Sequence, residues 1–503
     1  MSRPAVPKAH SPAARSAEGS PVCTNRLPSA RVGRQRLHAE ASTPCHCASD
    51  GSVVAHQGVA TPAQIDAAVA AARAALPAWR ATLPTERAVL LRGIAGQVQA
   101  ERGTLIRLQM RVNGKPRFEA ELDLDDVAAC FNHYAEVCER GDAFATEAVA
   151  LPMVEVRGQR RWEPVGVAAL VMPWNFPMVT TAWKMAPALA AGCTVVLKPS
   201  ELASPTEQAL LDLIERVGLP EGVVSMVGGG AAVGSALVAH PGVDKVSFTG
   251  STAVGRQVMR AAAEQLKRVT LELGGKSALI VREDADLAQA VELALGGAFT
   301  NAGQMCSATS RILVHEGLHA AFSAALSAAI EAMRAGPPDA EGCTMGPLIS
   351  AAQRERVLAI VERGRAAGAK LIASGQVLEG AEAGFFMAPQ LYAVADADNP
   401  LWQEEIFGPV ACIRTFASDD KAIAAANATP YGLVATVLTR DEAAAARLER
   451  ELRAGLVWVN TPQLIFPQLC WGGLGASGIG RELGLEGLRA YQELRHAVFA
   501  VPA

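Results

Sequence analysis

Three segments of the chain carry side chains that could make and break bonds. Asn301-Ala302-Gly303-Gln304-Met305-Cys306-Ser307 ends a helical run in a Gly-containing turn that bears a thiol. A cysteine so placed is a candidate nucleophile, because a thiolate is intrinsically reactive and its pKa follows its surroundings. Read alone, it is also one of ten cysteines, a residue type that often just fills a core. Leu271-Glu272-Leu273-Gly274-Gly275-Lys276 sets a carboxylate at the end of an apolar strand, ahead of paired glycines. Desolvated there, Glu272 could act as a general base; read alone, it is a turn carboxylate. Pro173-Trp174-Asn175-Phe176-Pro177 braces a short turn between prolines. The Asn175 amide could donate to a developing oxyanion, or simply suit the turn.

Two further segments fit a nucleotide. Leu197-Lys198-Pro199-Ser200-Glu201 sets a cation and a carboxylate three residues apart at a strand end. A carboxylate there accepts hydrogen bonds from ribose hydroxyls and repels a 2′-phosphate, which favours NAD over NADP. Phe248-Thr249-Gly250-Ser251-Thr252 reads as strand, turn and helix start, a site for a pyrophosphate. Gly228-Gly229-Gly230 with Gly234 lacks the spacing of a dinucleotide loop. Lysine is scarce beside arginine, yet Lys184, Lys198 and Lys276 all fall in or near these segments. Glu404-Glu405-Ile406-Phe407-Gly408 and the stretch from Trp471 to Glu482 are, read alone, ordinary turn composition.

These groups need a scaffold that brings strand ends together. From Val165 onward short apolar runs alternate with helical ones: strand-like Val165–Met172, Thr194–Leu197, Val223–Val227, Lys245–Phe248 and Val269–Leu273, helical Met178–Ala191, Ser204–Arg216, Ala231–Ala239 and Val254–Glu264. This predicts an α/β fold with a parallel sheet covered on both faces, whose ligands bind at the carboxyl ends of the strands. A second alternating set runs from Ser277 to about Val459, with strand-like Ala278–Val281 and Arg311–Val314 and helical Ala351–Ala367. Upstream, helices are predicted from the Thr61-Pro62-Ala63-Gln64 start signal, over Thr85–Arg111 and over Asp125–Arg140. Met153–Val165 reads as a β-hairpin turning at Gly158, with an apolar edge left to cover.

With 503 residues, half of them hydrophobic, the chain can bury a large core. A net charge of −4 gives no general attraction to nucleic acid or anionic membranes, and no apolar run suits a membrane span. Scattered cysteines in a long chain point to reduced thiols in a cytoplasmic setting. Residues 1–50, rich in Arg, Ser, Pro and Ala, show no apolar periodicity and read as a disordered or atypical extension, or a transit segment. Order is expected from about Thr61. Cys45-His46-Cys47 lacks the spacing and the second pair of a zinc site, so no metal is assigned.

Taken together and in order, the segments around Asn175, Lys198, Ser251, Glu272, Cys306, Glu405 and Trp471 resemble the aldehyde dehydrogenase superfamily over roughly residues 60–500. The resemblance implies a Rossmann-like NAD-binding domain over 51–152 and 164–275 and an α/β catalytic domain over 276–470. It also implies a β-hairpin oligomerisation arm over 153–163 and 484–503. It implies Cys306 as the thiol that attacks the aldehyde, Asn175 as oxyanion donor and Glu272 as the base for hydrolysis of the thioester. Lys184 and Glu482 match residues that relay the proton away. Trp174, Lys198, Glu201, Gly250, Ser251, Glu405 and Phe407 match cofactor contacts. The family's early strands are not recognisable over residues 30–60.

Cys306-Ser307-Ala308-Thr309-Ser310-Arg311 and Trp471-Gly472-Gly473 look most like the betaine-aldehyde and aminoaldehyde branch. That branch holds a cationic substrate end with aromatic rings. Phe176, Trp183 and Trp471 match three such positions, with Phe176 where Tyr is usual; a fourth, usually Trp, is Thr300, and Leu456 narrows the expected tunnel. A lining of Phe, Trp and Leu also suits an apolar or aromatic aldehyde. A catalytically idle structural protein on the same fold is the other alternative. The expected partners are a small-molecule aldehyde and further copies of the chain in a homodimer or homotetramer, with neither nucleic acid nor membrane.

Overall fold

A computed structural model describes residues 26–502. Its central sheet has eight strands, in the order Gly478–Ile479, Arg268–Glu272, Lys245–Thr249, Val167–Val171, Thr194–Lys198, Val224–Val227, Ala30–Val32, Gln35–Leu37. The five strands from Arg268–Glu272 to Val224–Val227 are parallel. Val167–Val171 and Thr194–Lys198 are buried at every position, as a sheet covered on both faces requires. The chain steps outward from Val167–Val171 to Val224–Val227, then returns to lay Lys245–Thr249 on the other side of Val167–Val171. The crevice of such a sheet opens at that switch point. The strands whose carboxyl ends flank it lead into Trp174 and Asn175, into Ser251, and, one strand further out, into Glu272.

The second sheet has seven strands, in the order Lys370–Ser374, Gln390–Ala393, Val410–Phe416, Arg311–His315, Ala278–Val281, Val434–Leu438, Leu456–Val459. All pairs are parallel except the first. Cys306 lies between the helix Leu287–Phe299 and the strand Arg311–His315.

Helix signals in the sequence are realised closely. Thr61 and Gln64 form a capping box at the start of Pro62–Ala81, and Ser204–Arg216 and Ala231–Ala239 have the expected bounds. The stretch Thr85–Arg111 divides at Glu101 into Pro84–Ala100 and Arg102–Asn113. The helix expected from Asp125 begins at Arg117.

Two expectations are corrected. Residues 26–58 are not an irregular extension, and strands precede Thr61. Ala30–Val32 pairs antiparallel with Val224–Val227, and the buried Arg31 guanidinium meets Asp212 and Glu215, each at 2.7 Å. These strands are only two to six residues long, too short to show a local periodicity, and Ala30–Val32 has a partner far along the chain. The portion of the extension before Arg26 lies outside the described residues.

The hairpin also differs from expectation. Val156–Pro164 runs straight through Gly158, pairing with Glu147–Val149 on one edge and with Gln492–Ala500 on the other. Gly158 serves close approach instead of turning: a Cβ there would lie 3.0 Å from the Val149 carbonyl oxygen. The edge that lacked a partner nearby in sequence is therefore covered by the chain's own last strand.

Candidate active site

A cavity of about 1240 Å³ runs along the crevice, with Ser235 and Glu201 lining one region and Cys306 and Trp471 another. Its wall includes Trp174, Asn175, Phe176, Trp183, Lys198, Glu201, Gly250, Ser251, Glu272, Cys306, Glu405, Phe407 and Trp471. Lys184 and Glu482 lie behind that wall. Leu456 does not line it; the side chain is half-buried against the core that also contains Trp458 and Trp471.

Cys306 is brought to the first sheet by the glycine pair. A Cβ on Gly275 would overlap the Cys306 carbonyl oxygen, and one on Gly274 would overlap the Glu405 carboxylate. Gly275 N–H donates to Glu405 Oε1 at 3.0 Å. Glycines after Glu272 thus let two segments of the second sheet's half close onto the end of the first. Burial, then the charges of Glu272 and Glu405, push the Cys306 thiol up to about 12. Asn175 Nδ2 donates to the Gln304 carbonyl at 2.9 Å, within the same turn as the thiol.

Glu272 is buried, and neither carboxyl oxygen has a protein hydrogen-bond partner. Burial and the neighbouring Glu482 raise its pKa well above the usual carboxylate range, while Lys184 and Arg481 oppose the shift. Lys184 and Glu482 are ion-paired and sealed from solvent; Ser247 Oγ donates to the same Glu482 oxygen at 3.2 Å. Such a group accepts a proton readily and has charged neighbours to tune it.

The nucleotide half is built from strand ends. Lys198 Nζ lies 3.3 Å from Glu201 Oε2, and the small residues Ala231, Gly234 and Ser235 line the cavity beside them. Ser251 caps the helix Thr252–Ala263, its Oγ accepting from Val254 N–H at 3.3 Å. Trp174 meets Phe407 edge-to-face at 5.2 Å, and Phe407 holds a left-handed backbone at φ 57°. The cavity exceeds the roughly 300–1,000 Å³ of a typical small-ligand pocket, so it has room for a dinucleotide beside a small substrate.

The remaining wall sets the expected Trp183 and Trp471 beside acids that the motifs did not name. Trp183 packs on Trp471 at 5.4 Å between ring centres, and Trp183 Nε1 donates to Asp126 Oδ1 at 3.0 Å. Glu119, Asp123 and Asp126 line the cavity from one helix, Arg117–Arg140, and Glu292 lines it from another. Positions 119, 123 and 126 are spaced i, i+4, i+7, one helical face. Lys115 Nζ pairs with Asp123 at 2.5 Å and stands 3.7 Å over the Phe176 ring. Burial pushes the Asp126 carboxyl up to about 7 against the Trp183 hydrogen bond, with Asp123 adding to the rise.

The profile of the aldehyde dehydrogenase family matches residues 37–497, most of the chain. The protein belongs to the aldehyde dehydrogenase family. Within it, the chain is 45% identical over 406 residues to the chloroplastic aminoaldehyde dehydrogenase of Arabidopsis thaliana, covering 80% of this chain and 81% of that one. It is 44% identical, with the same coverage, to the chloroplastic betaine aldehyde dehydrogenase of Beta vulgaris. Among solved structures, betaine aldehyde dehydrogenase of Staphylococcus aureus in complex with NAD+ superposes with a TM-score of 0.91 at 33% identity, covering 94% of each chain. The fold expected from the sequence is therefore that of aldehyde dehydrogenases, and the family match reaches back over the strands Val53–Gly58 and Ser42–His46 to residue 37.

Proposed function

We propose that this protein oxidises a cationic ω-aminoaldehyde or betaine-type aldehyde to its acid with NAD. The observation that carries the substrate class is the wall formed by Asp123, Asp126 and Glu292 beside the Trp183–Trp471 pair. Carboxylates and ring faces attract an ammonium group, and an apolar aldehyde would leave those acids desolvated without return. Of these three acids, Asp123 alone is ion-paired with an ammonium of the protein, on Lys115. Thr300 in place of a fourth ring shifts the balance from aromatic enclosure toward carboxylate acceptors, which suits an N–H-bearing amine better than a trimethylammonium group. The Arabidopsis and Beta relatives bear names from this same pair of substrate classes.

In the proposed mechanism Cys306 attacks the aldehyde carbon, and the Asn175 amide with the Cys306 backbone N–H hold the oxyanion. Burial and the charges of Glu272 and Glu405 push the Cys306 thiol up to about 12, so it attacks as the thiolate only after losing its proton to water in the cavity, and Glu272 is kept as the base for hydrolysis. NAD, when bound, supplies the hydride acceptor. Lys198 and Glu201 would hold its adenosine ribose, Ser251 and Gly250 with Trp174 would lie by the pyrophosphate, and Glu405 and Phe407 by the nicotinamide ribose. Glu272 then activates water against the Cys306 thioester, and the Lys184–Glu482 pair takes up the change of charge behind it.

Assembly into a homodimer or homotetramer is proposed through the three-stranded sheet, whose outer strands keep free edges and whose Val498 and Phe499 are exposed. A cytoplasmic or similarly reducing setting fits nine free cysteines among the described residues. No helix among those residues is long and apolar enough to cross a membrane. A panel of kcat/KM values at fixed NAD tests the substrate reading, using three- and four-carbon aminoaldehydes, betaine aldehyde, a straight-chain aldehyde and benzaldehyde. Aminoaldehydes should lead; a straight-chain or aromatic aldehyde in the lead would reject the cationic class.

A further inference from the structure

Glu119 has no part in the chemistry above, yet it makes the most unusual contact in the site. It stands in the first turn of Arg117–Arg140, buried at 5% exposure. Its Oε1 accepts a hydrogen bond from the backbone N–H of Asn301 at 3.0 Å. Asn301 and the following Ala302 both hold left-handed backbone, at φ 51° and 53°. Two consecutive non-glycine residues in that region are costly and persist only where surrounding groups over-determine them.

The strained pair passes its order on. Asn301 Nδ2 donates to the Asn175 carbonyl at 3.1 Å and to the Gln304 carbonyl at 3.3 Å. Asn175 Nδ2 donates to that same Gln304 carbonyl at 2.9 Å. Gln304 is itself tied down, donating to the Pro347 carbonyl at 3.3 Å and accepting from Ile349 N–H at 2.9 Å. One continuous set of hydrogen bonds thus runs from Glu119 on a helix of the first half to the turn that ends in Cys306 on the second.

We propose that Glu119 is a positioning residue that locks the left-handed Asn301–Ala302 turn and so sets the Asn175 amide and the Cys306 thiol in register for attack. It works through Asn301 and touches no reacting atom. The proposal rests on the roles given above to Cys306 and Asn175. What the turn requires from Glu119 is an acceptor oxygen at the right reach, and a neutral carboxyl offers that as well as a carboxylate does. The groups facing the carboxyl are the Lys115 ammonium, the Asp123 carboxyl, the Cys343 thiol and the Asn301 N–H. Burial outweighs Lys115 and pushes Glu119 up to about 7. Both protonation states are therefore populated near neutral pH, and a positioning role demands that both serve.

Two variants separate reach from charge. Glu119→Gln keeps the acceptor oxygen and removes the charge; Glu119→Asp keeps the charge and withdraws the oxygen by one methylene. The readouts are the rate of the pre-steady-state NADH burst, the NAD affinity, and the rate at which iodoacetamide alkylates Cys306. Gln should burst near the wild-type rate across pH 6 to 8, whereas Asp should slow by about a hundredfold, as a misplaced reacting group does. Both should bind NAD as the parent does, and only Asp should change the alkylation rate. An Asp variant that bursts at the wild-type rate, or a Gln variant slowed as much as Asp, overturns the proposal. A wild-type enzyme that gives no burst with any aldehyde would reject the aldehyde reading instead, and the alkylation rates would still decide the role of Glu119. Should Asp fail to fold, hydrogen exchange in the parent decides: slow exchange at the Asn301 amide supports the anchor, and fast exchange overturns it.

Discussion

Lys184 and Glu482 form an ion pair sealed from solvent behind Glu272, whose two carboxyl oxygens have no protein hydrogen-bond partner. The pair acts on Glu272 with opposite signs: the Glu482 charge raises its pKa and the Lys184 charge lowers it. Replacing Glu482 by Gln should therefore shift the pH–rate profile of the hydrolytic step to lower pH. Replacing Lys184 by Met should shift it to higher pH. Shifts in the same direction would remove the pair from the proposed mechanism.

Breaking the pair should also cost stability. Lys184→Met leaves the Glu482 carboxylate buried without its cation, a change worth about 3–5 kcal/mol. Thermal unfolding should show a clear drop in Tm for the single variant. The double variant Lys184→Met with Glu482→Gln should recover part of it, because no unpaired charge remains.

Glu272 itself sets the pH dependence of turnover. Its raised pKa means that the carboxylate form, which the base must take, grows as pH rises over a range well above that of an ordinary carboxylate. Steady-state kcat should climb with pH in the parent. In Glu272→Gln it should fall by about 10²–10⁴, the usual contribution of a general base, and lose that climb. A Gln variant with parental kcat would exclude Glu272 from hydrolysis.

Asp126 should act on substrate affinity. Its carboxyl, pushed up to about 7, becomes an anion over the pH range in which an amine substrate is still charged. KM for a four-carbon aminoaldehyde should fall as pH rises from 6 to 8. Asp126→Asn should raise KM by about ten- to a hundredfold, the value of a charge-assisted bond of about 1.5–3 kcal/mol. The KM for a straight-chain aldehyde should hardly move. Equal losses for both substrates would point to disturbed packing of Trp183 instead.

Glu201 should control the choice of dinucleotide. Replacing it by Gln removes the charge that opposes a 2′-phosphate, while Lys198 stays 3.3 Å away to meet one. The ratio of kcat/KM for NAD to that for NADP should fall by about tenfold or more, since one such charge contact is worth about 1.5–3 kcal/mol. An unchanged ratio would reject the ribose contact.

Much of this site is legible in the sequence because strand ends announce themselves. An apolar run that stops at Glu272, Lys198 or Thr249 marks both the strand and the place where the crevice opens. The acids of Arg117–Arg140 were written just as plainly, at i, i+4, i+7, but carboxylates on one face of a helix ordinarily face water. Nothing local says that Lys115, Trp183 and the second sheet's half will cover them. Leu456 shows the opposite error: a family position carried over by motif, which here packs into the core. The early strands were hidden because they are only two to six residues long, and the order of Ala30–Val32 comes from Val224–Val227 and from Asp212 and Glu215, nearly 200 residues away. Gly158 looked like a turn because its true reason, close contact with the Val149 carbonyl, exists only once the sheet is built.

The central claim is that Cys306 carries the acyl group and Glu272 releases it. Glu272→Gln, mixed with NAD and a four-carbon aminoaldehyde, quenched in acid and digested, tests this by mass spectrometry. The expected result is one burst of NADH matched by an acyl mass on the Cys306 peptide, and on no other cysteine. A burst with no adduct, or an adduct on a different cysteine, would contradict it.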